Sequence, residues 1–137
     1  MSPASLARRK AGREALEDLK RYRGVLTVER FLADRDEQRR VLHAMLIAVQ
    51  ACIDEALSEC RFLNLNVQSY REAFEALGRA GRIPEDLLPS LMGWAGMRNV
   101  IAHFYPVLNL RRTFESLGEV DALEQFLDLT EPPATKR

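Results

Sequence analysis

From Val41 to Ala56 the apolar side chains fall on a helical period. Val41, Leu42, Met45, Ala48, Val49, Cys52, Ile53 and Ala56 recur at spacings of three and four. At about 100° per residue they form one wide stripe, the mark of a central helix covered on more than one side. A helix of that kind is stable only if the rest of the chain supplies helices to cover it. Strand-like alternation is nearly absent elsewhere, and Gly and Pro gather at a few breaks. The expected fold is therefore all-α, a compact antiparallel helical bundle. Its 137 residues suit one domain, taken as residues 1–130, with 131–137 and their Pro132-Pro133 pair as a frayed tail. An apolar share of 47% is enough for a core.

The breaks set the expected helices. A first helix covers 4–22, with Leu6, Ala15, Leu19 and Tyr22 facing inward and Gly24 ending it. A short one covers 27–33, with Thr27 as N-cap. The long helix starts at Asp34 or Asp36 and runs to Phe62, where Asn64 to Asn66 interrupt it. Residues 69–79 follow, with Tyr70, Phe74 and Leu77 on one face and Gly81 after the end. Pro84 suits the first position of the next helix, and Glu85 and Asp86 suit its positive end. That helix is expected to run to Phe104, kinked or restarted at Pro89 and closed by Pro106. Two shorter helices cover 109–117 and 119–129.

Charge and cysteine content narrow the classes of function. Lys+Arg and Asp+Glu are 20 each, which argues against a protein that coats nucleic acid through bulk charge. The charges are nonetheless segregated. Arg8 to Arg23 holds seven basic residues against three acidic, and Glu119 to Glu131 holds five acidic residues and no basic one. Two readings follow: a basic face for RNA with an acidic face for a basic partner, or ordinary solvated helix faces. Cys52 and Cys60 lie eight residues apart on one helix, about 12 Å by helical rise, too far for a disulfide. Without further ligands at zinc spacing they read as small buried hydrophobes in a reducing cytosol, so the expected location is cytoplasmic, with no metal. No apolar run approaches the roughly 20 residues of a membrane span, and the basic stretch from Met1 to Arg13 lacks the apolar segment of a signal peptide.

The candidate chemistry lies in Arg98-Asn99-Val100-Ile101-Ala102-His103-Phe104-Tyr105. An arginine, an amide, an imidazole and a phenol gather at the end of an apolar helix, a grouping that folding does not require. Arg98 and Tyr105 fall within about 20° of one another around the axis, and Asn99 and His103 are an i, i+4 pair. Cleaving RNA without a metal needs a base for the 2′-hydroxyl proton, an acid for the leaving oxygen and a cation for the charge on phosphorus. His103 can serve as acid or base, Arg98 as the cation and Asn99 as support. One chain brings a single imidazole to this corner, so a catalytic form calls for a symmetric dimer. Gly93 and Gly96 just upstream would admit a close helix, either internal or from a second subunit. His43, between Leu42 and Met45, reads as a partly buried structural histidine. The bland alternative for Arg98, His103 and Tyr105 is a set of caps and surface contacts.

These residues carry a resemblance. Arg98, four residues, His103, one residue, Tyr105, with polar Asn99 after the arginine, resembles the signature of HEPN domains and, more narrowly, of HepT-like toxins. Ser69-Tyr70-Arg71-Glu72-Ala73-Phe74, Leu77, Gly81 and Ile83-Pro84-Glu85-Asp86-Leu87 resemble the family pattern in the same order, so that the likeness spans roughly residues 10–130. The resemblance implies an all-α homodimer with its Arg-His motifs at the dimer cleft. It also implies a metal-independent endoribonuclease toxin that acts on RNA without a cofactor. Its partner is then a minimal nucleotidyltransferase antitoxin that silences it by AMPylation of a tyrosine, here Tyr105. A non-catalytic HEPN module that docks a nucleotidyltransferase is the alternative.

Overall fold

A computed structural model describes residues 2–103 and 108–132. Seven α-helices follow one another among the described residues: α1 (Pro3–Val25), α2 (Val28–Ala33), α3 (Arg35–Phe62), α4 (Tyr70–Arg79), α5 (Leu88–His103), α6 (Leu110–Glu115) and α7 (Val120–Leu129), with a 3₁₀ turn at Ser116–Glu119 between the last two. No strand occurs among the described residues.

Local chemistry explains most of the boundaries. Thr27, Asp34, Ser69 and Asn109 each accept a backbone N–H from the first turn of the helix that follows, a capping bond worth about 1 kcal/mol. Glu72 reaches back from α4 to accept the Gln68 N–H, close to a capping box. Asn64 (φ 59°) and Gly81 (φ 77°) turn the chain through the left-handed region just past the ends of α3 and α4.

Two boundaries and the settings of Pro89 and Leu6 differ from expectation. α1 runs through Gly24 to Val25, where the Leu26 N–H bonds back to the Tyr22 carbonyl. Pro84 to Leu87 form a turn, and α5 begins only at Leu88. Pro89 accordingly sits in the first turn of α5, where its missing N–H has no helical partner to lose, and it neither kinks nor restarts the helix. Leu6 is 50% exposed instead of inward. The expected end of the motif helix at Phe104 and Pro106 lies outside the described residues, as do residues 133–137 of the expected tail.

The bundle is antiparallel. Arg8 and Arg9 meet Asp54 and Glu55 while Gly12 meets Ala51, so α1 descends as α3 rises. Gly78 faces Leu88 and Arg71 faces Met92, which sets α4 against α5 in the same way. At Gly12 and Gly78 the neighbouring side chain occupies the place of a Cβ, so these two glycines let helices approach closely. α3 is the centre, buried from Val41 to Cys60 along the expected stripe. It is also long and apolar enough to cross a membrane by length and composition, but here that apolar face is the core. Phe74 and Phe126 pack edge to face with centroids 5.3 Å apart, and Phe31 meets Phe114 at 5.5 Å. Each fully buried Phe or Leu contributes about 1.5–3 kcal/mol.

The segregated charges find each other. Arg9 and Arg13 bind Glu131, Arg13 binds Asp128, Lys20 binds Glu124 and Arg23 binds Asp121. The basic flank of α1 and the acidic flank of α7 are therefore the two halves of one internal seam. Most of these side chains remain about a third to two-thirds exposed, so the faces are solvated and paired with each other. Cys52 and Cys60 are free and buried, as expected. Burial pushes both thiols up, and their S–H groups point to the carbonyls of Leu123 and Ala73.

Candidate functional site: the Arg98 corner

α5 is fixed before it reaches its polar end. Leu91, Trp94, Ala95 and Ile101 are buried. The Trp94 indole N–H donates to the Glu119 carbonyl at 3.0 Å, and the Ser90 hydroxyl donates to the Glu119 carboxylate at 2.6 Å. The helix is thus tied to the 3₁₀ turn on one side and to α3 and α4 on the others. Its C-terminal turns carry the motif on a rigid support, the arrangement that precise chemistry needs.

Arg98 is half-buried, whereas Asn99 and His103 are exposed. The Arg98 Nε–H donates to Gln50 Oε1 of α3 at 3.0 Å. Its Nη1 reaches the neighbouring Asn99 Oδ1 at 3.4 Å, a weak bond. The guanidinium carbon lies 5.1 Å from the centre of the Tyr70 ring at the start of α4, within cation–π range. The guanidinium is therefore engaged through Nε and one face, and its terminal nitrogens keep donors for a bound oxyanion. Gln50 is itself held: its Nε2–H donates to Asp54 Oδ1 at 3.0 Å, and Asp54 Oδ2 pairs with Arg8 Nε at 3.0 Å.

Of the expected site residues, Arg98, Asn99 and His103 stand on the last two turns of α5. Tyr105 lies outside the described residues. Gly93 and Gly96 are not pressed by an internal helix: nothing lies within 4 Å of a Cβ built at Gly93, and only an Arg71 guanidinium nitrogen, at 3.9 Å, near one at Gly96. The partly buried structural role expected of His43 does not hold, because its side chain is exposed. It lies seven residues before Gln50 and so within about 20° of it around α3. Gln50 and Tyr70 are the contributors that the motif alone does not reveal. The available signal was a Gln-Asp pair at i, i+4 that interrupts and ends the apolar run from Ala44 to Ile53.

A groove of about 730 Å³ runs between α1, the second half of α3 and the end of α7, lined in part by Arg8 and Asp54, the pair that stands behind Gln50. Its lining also includes Arg9 and Glu55, which are paired with each other at 3.0 Å. Among the described residues no group of three or more His, Cys, Asp or Glu is placed to hold a metal ion.

The all-α bundle, with Arg98 and His103 on the last turns of α5, fits the HEPN pattern that the sequence resembles. The ribonuclease HepT-like family matches residues 13–129, and the chain belongs to that family. No curated protein matches the chain in sequence. Solved structures do match in fold. The tri-AMPylated HEPN toxin of Shewanella oneidensis, in complex with MNT antitoxin, superposes with a TM-score of 0.80 at 25% identity, over 94% of this chain and 97% of that one. A toxin–antitoxin structure with AMP-PNP gives 0.80 at 23% identity, over 96% and 100%. A tyrosine-to-alanine mutant of the MntA–HpeT toxin–antitoxin gives 0.78 at 25%, over 91% and 95%.

Proposed function

We propose that this chain is the toxin of a toxin–antitoxin pair. In this reading it is a metal-independent endoribonuclease, active as a homodimer, and a nucleotidyltransferase antitoxin silences it by attaching AMP to Tyr105. The observation that carries the reading is the Arg98 corner. A guanidinium held from behind by Gln50 and Tyr70 shares the end of α5 with an exposed imidazole, His103. The family match and the similarity to a HEPN toxin crystallised with its MNT antitoxin support the same reading.

The chemistry follows from the groups present. Neutral His103 takes the proton of an RNA 2′-hydroxyl, and the oxygen attacks the adjacent phosphorus. The P–O5′ bond breaks in line, leaving a 2′,3′-cyclic phosphate, and a second imidazole returns a proton to the leaving oxygen. Arg98 binds the non-bridging oxygens and stabilises the charge that grows on them. Asn99 binds a phosphate oxygen or orients the imidazole. The second imidazole comes from the other subunit of a symmetric dimer. AMP on Tyr105 would add a phosphodiester, an anion of the kind that the Arg98 donors can bind.

Expression of the chain alone is expected to arrest growth and degrade RNA, and His103→Ala to relieve both. Protein made with its nucleotidyltransferase is expected to gain mass in whole AMP units, a gain lost in Tyr105→Phe. Growth without arrest, with RNA left intact, would remove the nuclease and leave a module that docks the nucleotidyltransferase.

A further inference from the structure

We infer that Gln50 is a positioning residue for Arg98, the working end of a polar relay that crosses three helices. It rests on the reading of Arg98 as the phosphate-binding cation. Along α3, Gln50 and Asp54 are separated by one helical turn and share a half-buried flank beside α5. Gln50 has one acceptor and one donor group, and both are used in one direction. Its Oε1 accepts from Arg98 Nε, and its Nε2 donates to Asp54. Asp54 accepts only, so it fixes which end of the amide faces Arg98. Were the amide turned over, two N–H groups would face a guanidinium. Arg8 anchors the far carboxylate oxygen from α1. The relay therefore runs Arg8, Asp54, Gln50, Arg98, with donors and acceptors matched at each step.

The consequence is geometric. An arginine side chain has many rotamers, and an exposed one at a helix end samples most of them. Holding Nε from α3 and one ring face from Tyr70 fixes the plane of the guanidinium before RNA arrives. A neutral acceptor does this without cancelling the positive charge, which a carboxylate at position 50 would do. Gln50 thus orders Arg98 and leaves its charge for phosphate.

Two variants separate these roles in the full-length protein. Gln50→Met keeps the length and the helix propensity but removes the acceptor. Gln50→Glu keeps an acceptor but adds a negative charge. Solvent exchange of the Arg98 Nε–H, followed by NMR of arginine-labelled protein, is expected to accelerate at least about tenfold in Gln50→Met, as for a lost hydrogen bond. Asp54→Ala, which frees the amide to turn, is expected to fall between wild type and Gln50→Met. On an RNA substrate, Gln50→Met is expected to lower kcat about tenfold with KM changed less than about twofold, a loss of orientation. Gln50→Glu instead is expected to raise KM and to lower the salt dependence of RNA binding by about one counterion. A merely structural role would not split the two variants in this way. Unchanged exchange of the Arg98 Nε–H in Gln50→Met overturns the clamp whether or not the protein cleaves RNA. Wild-type protein that leaves RNA intact, with exchange accelerated in Gln50→Met, overturns the nuclease and upholds the clamp.

Discussion

Arg9 is 5% exposed, an unusual position for an arginine, and it ties α1 to two other elements. Nη1 pairs with Glu55 of α3 at 3.0 Å and donates to Thr130 Oγ1 at 3.3 Å. Nη2 donates to the Leu127 carbonyl at the end of α7 and pairs with Glu131 at 3.1 Å, and Nε also reaches Glu131 at 3.3 Å. Arg9→Met keeps much of the aliphatic stem and removes every one of these bonds. The Glu55 side chain, 11% exposed, is then left as a buried carboxylate without its partner. Breaking a buried pair from one side costs about 3–5 kcal/mol. At about 3 °C per kcal/mol for a domain of this size, the melting temperature should fall by roughly 10 °C. Arg9→Met with Glu55→Leu removes the stranded charge and should recover most of the loss, because an apolar replacement of a buried pair is close to neutral. Urea unfolding of the wild type, both single variants and the double variant closes the cycle. The reasoning fails if Arg9→Met lies within about 1 kcal/mol of wild type, the span of an exposed ion pair. It fails equally if the double variant is no more stable than Arg9→Met.

Three further predictions follow from packing and charge. Hydrogen bonding to Arg13, opposed by partial desolvation and aided by Arg9, holds the Glu131 carboxyl below its ordinary value. Its contribution is thus present at neutral pH and lost as pH falls through its lowered pKa, so a stability difference between wild type and Glu131→Gln at pH 7 should close on acidification below about pH 4. A difference that persisted at low pH would refute it. Gly12→Ala should destabilise by about 1–3 kcal/mol, because the new methyl meets Ala51 Cβ. Gly24→Ala, where nothing lies within 4 Å, should stabilise α1 by about 0.5–1 kcal/mol, and thermal melts that reversed this order would overturn the packing described. Cys52 and Cys60, buried and with their thiols pushed up, should resist a thiol reagent until the protein unfolds. Rapid labelling of native protein would contradict their burial.

The elements read most easily from the sequence are those fixed by local rules. The stripe from Val41 to Ala56 gave α3, and Thr27 and Asp34 cap the helices they were expected to open, whereas Ser69, read as the first residue of its helix, is the cap of α4. Pro84 and Pro89 show where such rules run out. Either proline fits a helix's first turn, and the choice falls to packing, with Leu87 in the core and Leu88 against Gly78. His43 misled because it stands next to buried Leu42 in sequence, whereas a helix turns neighbours about 100° apart. The charge segregation was plain in the sequence, but its meaning depended on α1 and α7 lying side by side. At the site, Arg98, Asn99 and His103 could be proposed from spacing and family likeness. Gln50 could not, since it lies 48 residues away and its role depends on how α3 packs against α5.

The central claim is that Arg98 and His103 cleave RNA without a metal. It is tested most directly with purified protein, free of AMP, incubated with a 5′-labelled single-stranded RNA in the presence of a chelator. Wild-type protein is expected to cut the RNA and leave 2′,3′-cyclic phosphate ends, whereas Arg98→Ala and His103→Ala, melting at the wild-type temperature, each lose at least about a hundredfold in rate. Intact RNA with the wild type, or cleavage by His103→Ala at the wild-type rate, would contradict the claim.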